Sequence, residues 1–419
     1  MSVMESEPRG TTQETDTGAQ GPGKGDKDYV TRVFDAPSEI PLAEWNALLA
    51  LDGDPSPFMR LEYLVALDAS GSATRRTGWR PAFMTLWDGG EMAAACPLYL
   101  KQHSYGEYVF DWAWANAYEQ HGLSYYPKAL VAVPFTPVPG ARLLARDDAA
   151  RAALVQALVR HCKDQRLSSL HLLFGQPRDL QACADAGLML RHTVQFHWHN
   201  RDHADFEQFL NSLQQDKRKK IRQERRKVAE AGVRFRHAQG REIGPADWRF
   251  FYSCYERTYL EHGNAPYLRP EFFVRMANDM PEHWLMFIAE RDGRPIASSL
   301  VGIDAERRVA YGRYWGALER VDCLHFEACY YQPLNWCIDH GYIRFEGGAQ
   351  GEHKMARALL PVRTSSAHWL AHPAFSDAVA RFLEREESGV DNYLAHLAER
   401  NPVRAGSGGP AATIPDNLS

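Results

Sequence analysis

Nine consecutive residues, Glu-Gly-Gly-Ala-Gln-Gly-Glu-His-Lys at positions 346–354, carry groups suited to proton transfer beside a carbonyl. Glu346, Glu352 and His353 can each accept a proton. Glu346 closes an apolar run and is the candidate positioning carboxylate, with Glu352 or His353 as the candidate base. Gln350 can hydrogen-bond a substrate, and Lys354 can neutralise a phosphate or carboxylate. Gly347, Gly348 and Gly351 allow positive φ and a close approach of ligand to backbone. The N–H groups of such a loop can serve an oxyanion. These functions are what amide formation needs: a deprotonated amine, a held acyl carbon, a stabilised oxyanion and a leaving group that departs. The alternative for a polar, glycine-rich stretch is a plain turn.

Other clusters offer further groups. His325 and Glu327 lie two apart near an expected helix start, so they do not share a helix face; they can cap the helix or reach a site from its first turn. Tyr330 and Tyr331 follow. Residues 103–114 bring together His103, Tyr105, Glu107, Asp111, Trp112 and Trp114. If the segment is extended, His103, Tyr105 and Glu107 share a face that Asp111 continues. That mixture suits a ligand wall of aromatic sides and polar anchors, and equally a polar core network. Gln195, His197 and His199 alternate in an expected strand. Two histidines on one face hold a metal only with a third ligand from elsewhere, so no metal site is assigned and His197 is taken as a substrate contact. Finally, Lys217, Arg218, Lys219, Lys220, Arg222, Arg225, Arg226 and Lys227 are offset only by Asp216, Glu224 and Glu230. A solvated helix is the ordinary meaning of such a run. In an acidic protein it also fits a polyanion, for which Lys217, Lys219, Lys220, Arg222 and Arg226 are the candidate contacts.

The elements that carry these residues form a weak internal repeat. An apolar run at 83–87 leads through Asp88-Gly89-Gly90 to a second run at 92–100. A run at 285–289 leads through Asp292-Gly293 to another at 295–303. Each reads as strand, tight turn, strand, with Pro97 marking an edge or bulge. A helix and a buried strand then recur, at 149–165 and 167–174 and again at 324–340 and 342–345. Gly341 sits where a helix-ending glycine belongs, and Pro333 should kink the second of these helices. The first half carries an insertion near 102–146. Phe206, Phe209, Leu210 and Leu213 form a helical stripe ahead of the basic helix at 216–231. Further helices are expected at 245–260, 270–279 and 373–397. The expected organisation is a first α/β domain at 29–204, a connecting helix at 205–232, a second α/β domain at 233–400, and disordered tails at 1–28 and 401–419.

The chain has 419 residues, 45% hydrophobic and 24% charged, which is ordinary globular composition. A net charge of −5 excludes a general nucleic-acid binder. No signal peptide is expected, and the apolar runs fall far short of the ~20 residues of a membrane helix, so integral membrane association is not expected. Seven scattered cysteines without a C-x-x-C pair point to reduced thiols and a cytoplasmic protein.

Several strings are distinctive: residues 101–114, Tyr125-Tyr-Pro-Lys128, Val133-Pro-Phe-Thr-Pro137, Gln195-Phe-His-Trp198, Tyr311-Gly-Arg-Tyr-Trp-Gly316, Leu324-His-Phe-Glu327 and residues 345–354. Through them the chain, over roughly 30–403, resembles the FemAB-like predicted N-acyltransferases. That resemblance implies two tandem GNAT-like domains, each a mixed sheet covered by helices. It implies transfer of an acyl or aminoacyl group to a small-molecule or peptide amine. The co-substrate would be acyl-CoA or aminoacyl-tRNA, with no tightly bound cofactor, and tRNA would engage the basic helix. The GNAT phosphate loop has the form Q/R-x-x-G-x-G/A. Here Arg313-Tyr314-Trp315-Gly316-Ala317-Leu318 keeps the Arg and first Gly but ends in Leu, and the acidic Glu319, Asp322 and Glu327 follow. Arg313, Tyr314 and Trp315 are therefore candidate substrate contacts beside the 346–354 loop. A recognition module that kept the fold without catalysis is the alternative.

Overall fold

The computed structural model describes residues 29–349 and 351–404. The expected tail at 1–28, residues 405–419 of the expected C-terminal tail, and Gln350 lie outside the described residues. Fifteen strands are described: β1 (Val30–Phe34), β2 (Trp79–Pro81), β3 (Phe83–Asp88), β4 (Glu91–Cys96), β5 (Leu98–Lys101), β6 (Lys128–Val131), β7 (Leu144–Ala145), β8 (Ser169–Gly175), β9 (Met189–His199), β10 (Arg234–Gln239), β11 (Trp284–Arg291), β12 (Arg294–Asp304), β13 (Val309–Ala317), β14 (Arg344–Ala349) and β15 (Leu360–Leu370). They make a four-stranded sheet, β1-β3-β4-β7, and an eleven-stranded one, β10-β11-β12-β13-β14-β9-β15-β8-β6-β5-β2. Helices pack on them, so the fold is mixed α/β.

The same succession occurs twice. The β3–β4 hairpin closes with Asp88 opposite Glu91, and β11–β12 with Arg291 opposite Arg294. Asp292 and Gly293 both take positive φ, the geometry that matches strand twist in a two-residue turn. An antiparallel neighbour follows each hairpin, β6 beside β5 and β13 beside β12. A parallel partner comes next, β8 beside β6 and β14 beside β13. Pro97 lies between β4 and β5, and there the first hairpin passes from the small sheet into the large one. A proline cannot donate to a ladder, so the break falls on it.

The last strands cross over. β9, from the first half of the chain, pairs with β14 and β15; β15, from the second half, pairs with β9 and β8. Helix Pro245–Glu261 lies directly on β13. A Cβ at Gly316 would sit 2.0 Å from the Cys254 carbonyl oxygen, so glycine is required there.

Pro333 was expected to kink its helix. There the chain runs from α-helix (Leu324–Phe326) through π-helix (Glu327–Tyr331) into α-helix (Gln332–Asp339). In a π turn residue 333 would donate to the Ala328 carbonyl, and proline has no N–H to give. Ser299 Oγ donates to that carbonyl at 2.6 Å instead.

Residues 103–114 do not run extended, and of the two readings they offered the polar core network is the one that forms. Beyond β5 the chain turns through Gly106 and Tyr108, both at positive φ, and helix Trp112–Gln120 begins after Asp111. Turning rather than alternating brings Glu107 and Asp111 together on Lys128. The buried Lys128 ammonium donates to Ser104 Oγ at 2.7 Å, Glu107 Oε2 at 2.8 Å and Asp111 Oδ2. Tyr125 donates to Asp111 Oδ2 at 2.6 Å and lies 3.1 Å from His171 Nε2, whose Nδ1 is 2.7 Å from His368 Nδ1. Burial pushes Glu107 up to about 7, against the pull of Lys128. It would raise Asp111 too, but Lys128 and His171 hold that carboxyl below its ordinary range. The two differ because the Asp111 charge itself acts to raise Glu107, whereas Lys128, His171 and Ser104 all favour the ionised form of Asp111.

Lys128→Met would leave two buried carboxylates without their shared counter-charge. It should cost about 3–5 kcal/mol of stability, read from urea unfolding midpoints. Adding Glu107→Gln and Asp111→Asn should recover much of that loss.

Candidate active site at the parting of two parallel strands

β13 and β14 pair in parallel only over Val309–Arg344, Ala310–Phe345 and Tyr311–Glu346, then part. Both are bulged there. The β12–β13 register steps from Val301–Gly312 to Leu300–Tyr314, leaving Arg313 as the extra residue. The β14–β9 register steps from Glu346–His197 to Ala349–Gln195, so an extra residue falls at Gly347–Gly348. Bulges free backbone groups from the ladder and re-aim side chains. A Cβ at Gly347 would meet Leu359 Cδ2 at 2.5 Å, and Gly348 has φ +79°. The buried Lys354 ammonium donates to the Gly348 carbonyl at 2.9 Å and the Ala349 carbonyl at 3.3 Å. It therefore ties down the loop's own backbone, and burial lowers it to about 8.

Glu346 is buried at this junction. Arg344 Nε lies 3.1 Å from its Oε1 and His197 Nε2 lies 3.9 Å from its Oε2. That Oε2 has no hydrogen-bond partner among the described residues. Burial pushes the carboxyl up to about 7 against the lowering pull of Arg344. Burial and Arg344 both push His197 well down, so its imidazole is neutral. Gln195 Oε1 lies 3.3 Å from His197 Nε2, and Gln195 donates to the Pro137 carbonyl at 2.8 Å.

Arg313 reaches across to the first half. Its Nη2 donates at 3.0 Å to the Phe135 carbonyl, Thr136 Oγ1 and the Tyr314 hydroxyl. Trp315 packs on His325 at 5.5 Å between ring centroids, and the Tyr330 hydroxyl lies 3.2 Å from His353 Nε2. Burial pushes His325 down to about 4, with His353 and Arg357 adding to it. The junction thus offers a carboxyl that titrates near neutrality, freed backbone and neutral imidazoles, and these suit proton transfer during acyl transfer.

The FemAB-like family, described by peptidoglycan biosynthesis/recognition, matches residues 36–405. The chain belongs to that family. A crystal structure of FemX is similar at 11% identity and a TM-score of 0.51, over 81% of this chain and 98% of FemX. The C-terminal domain of a putative lysylphosphatidylglycerol synthetase from Agrobacterium fabrum is similar at 12% identity and a TM-score of 0.50, over 84% of this chain and 97% of that one. At such identities the likeness is one of fold. No curated protein sequence matches the chain. Membership of the family supports acyl or aminoacyl transfer as the broad class of reaction.

The remaining predicted positions of this FemAB-like chain lie in three other places. Glu352 is exposed and accepts from the Tyr393 hydroxyl at 2.8 Å and Arg400 Nη1 at 3.2 Å. Glu327 turns to the basic helix, where Arg225 Nε lies 3.2 Å away. In the first half, Trp114 packs edge-on against His368, while Tyr105 and Trp112 are exposed 5.1 Å apart. His103 lies beside them, with Nε2 3.1 Å from the Thr77 carbonyl oxygen. The basic helix, Gln215–Glu230, buries Ile221, Glu224 and Val228. Lys217 pairs with Asp216, Arg222 with Glu207 and Arg226 with Glu230, while Lys219 and Lys220 are exposed. A groove of about 350 Å³ runs from Lys217 to His353 and Arg400. Among the described residues no three His, Cys, Asp or Glu side chains gather as a metal site, and no helix is long and apolar enough to cross a membrane. All seven cysteines are unpaired.

Sequence reasoning did not single out Arg344, Lys128 or His171. A histidine inside the apolar run 167–174 was the available signal for the last.

The Glu346 carboxyl should titrate near pH 7, followed by its carboxyl ¹³C resonance. Arg344→Met should move that midpoint upward, because the guanidinium favours the ionised form.

Proposed function

We propose that this chain transfers an acyl or aminoacyl group from a phosphate-bearing activated carrier to an amine, with Glu346 as proton acceptor. The observation that carries the reading is the double bulge where β13 and β14 part, which sets a buried, half-paired carboxyl beside freed backbone. The amine nitrogen forms the new bond to the acyl carbon and gives a proton to Glu346. The carbon–oxygen or carbon–sulphur bond to the carrier breaks, and the proton passes to the departing atom. A carboxyl raised to about 7 suits both halves of that exchange. Arg313, Tyr314 and the neutral His197 are the substrate contacts around it. His353 lines the groove that begins at Lys217, on the carrier side, and His325 lies behind it at 6.4 Å between ring centroids.

The first half fills the corresponding place. There Gly140 bridges Gly175, and the buried Arg142 donates to the Leu173 and Val138 carbonyls where a cleft would open. That asymmetry supports the second half as the donor side. The exposed Lys219 and Lys220 support a polyanionic carrier, and tRNA is a polyanion on which to test them.

Two experiments test the reading. Glu346→Gln should lower turnover of an activated acyl donor by about 10²–10⁴, whereas Glu352→Gln should stay within severalfold. Wild-type turnover should rise with pH through about 7, as Glu346 ionises. Full turnover by Glu346→Gln would remove the carboxyl from the chemistry. Separately, replacing Lys219, Lys220, Arg222 and Arg226 by Gln should weaken tRNA binding and flatten its salt dependence. Unchanged binding would leave the helix a solvated connector.

A further inference from the structure

Beside the proposed reacting carboxyl lies a pocket that the transfer reading does not use. It has a volume of about 640 Å³ and sits at the end of β9, where β15 has only begun. Trp198, Phe209, Leu360, Val362, Leu394 and Leu397 give it mostly apolar walls, from the sheet, helix Phe206–Ser212 and the C-terminal helix Pro373–Glu399. At one part of its wall stand His197 and Arg344, the two side chains that contact Glu346.

We infer that this pocket holds a long apolar acyl chain, the body of the transferred group, with its carbonyl end at His197 and Arg344. The inference rests on Glu346 as the reacting end. Three observations narrow the ligand class. The volume lies within the range of small-molecule sites, so the space is more than a packing defect. Its exposed wall is mostly apolar, so a sugar or peptide would lose hydrogen bonds on entry except where His199, Arg201, His203, Ser212 and Asn401 also line it. Where Arg344 stands no charged head is required, since its charge is met by Glu346 at 3.1 Å and Asp54 at 3.3 Å; the other cation of the lining is Arg201. A carbonyl oxygen can accept a hydrogen bond there without disturbing those pairs.

Calorimetry on the full chain tests this with decanoate and hexanoate at pH 6, where Glu346 is mostly protonated. The carboxylate of the probe stands in for the acyl carbonyl. Each methylene buried is worth roughly fourfold in affinity, so decanoate should bind about a hundredfold or more tighter than hexanoate. Val362→Trp, from the sheet, and Ala398→Trp, at the helix wall, should each weaken decanoate at least about tenfold with melting temperature unchanged. Decanoate no tighter than hexanoate, or both variants binding as wild type, overturns the inference. Saturable binding of leucine or phenylalanine in place of decanoate also overturns it, in favour of an aminoacyl side chain. Glu346→Gln separates the two readings. It should keep decanoate binding, and if it also keeps full transfer, the proton-acceptor role falls while the chain-length result stands.

Discussion

A β-strand must find hydrogen-bond partners on both edges or lie exposed, and here the two halves of the chain meet that demand with each other's strands. β9 and β15 exchange places in the middle of the large sheet, so neither half completes its own ladder. The exchange sets the register between β14 and β9, and with it the pairing of Glu346 opposite His197 and Ala349 opposite Gln195. Gln195 in turn holds the Pro137 carbonyl, and Arg313 holds the Phe135 carbonyl and the Thr136 hydroxyl. The candidate site is therefore a product of the crossing rather than of either half.

Two parallel strand pairs with one topology end up with different contents. In the first half the space beyond β6 is closed by Arg142, whose guanidinium satisfies three backbone carbonyls, and by Asp179, which accepts from the backbone N–H of Arg142 and Leu143. In the second half the bulges at Arg313 and at Gly347–Gly348 leave ladder positions vacant. Closing one pair stiffens the frame. Parting the other leaves backbone groups free at a place that the frame holds rigid, which is how a site gains geometric definition without a ligand to organise it.

Local rules made much of this legible. Asp88-Gly89 and Asp292-Gly293 each flanked by apolar runs read as hairpins, and Gly341 marked the end of its helix; a two-residue period and a turn signal suffice for that. The Glu346 position was legible as a polar residue closing an apolar run before glycines. What periodicity does not carry is partner choice. The alternation of Gln195, His197 and His199 says strand, yet nothing local says that its neighbours come from 150 residues further on. Pro333 marked an irregularity in its helix, but not its form; Ser299, from β12, supplies the missing donor beside a π segment. Residues 103–114 left a ligand wall and a polar core network equally open, because composition does not say which way the chain turns; positive φ at Gly106 and Tyr108 turns it, and the two carboxylates meet Lys128 from a loop.

The proton affinity of Glu346 is set from further away than its neighbours suggest. Three arginines, Arg344, Arg313 and Arg142, pull the carboxyl down, and burial outweighs them. One reason is that Arg344 is shared: Asp54 takes part of its charge at 3.3 Å and itself acts to raise Glu346. Asp54 is held in place by the turn before it. Arg307 donates to the Gly53 carbonyl at 2.7 Å, and Asp52, buried, accepts from Gln176 at 2.7 Å. A second reason is that His197 stays neutral; a protonated imidazole 3.9 Å away would have drawn the carboxyl toward the ordinary range. A surface turn of the first half and a desolvated strand histidine thus combine to keep a second-half carboxyl titrating near neutrality. Displacing the Asp52–Asp54 turn would return the whole Arg344 charge to Glu346 and lower its proton affinity without touching the site itself.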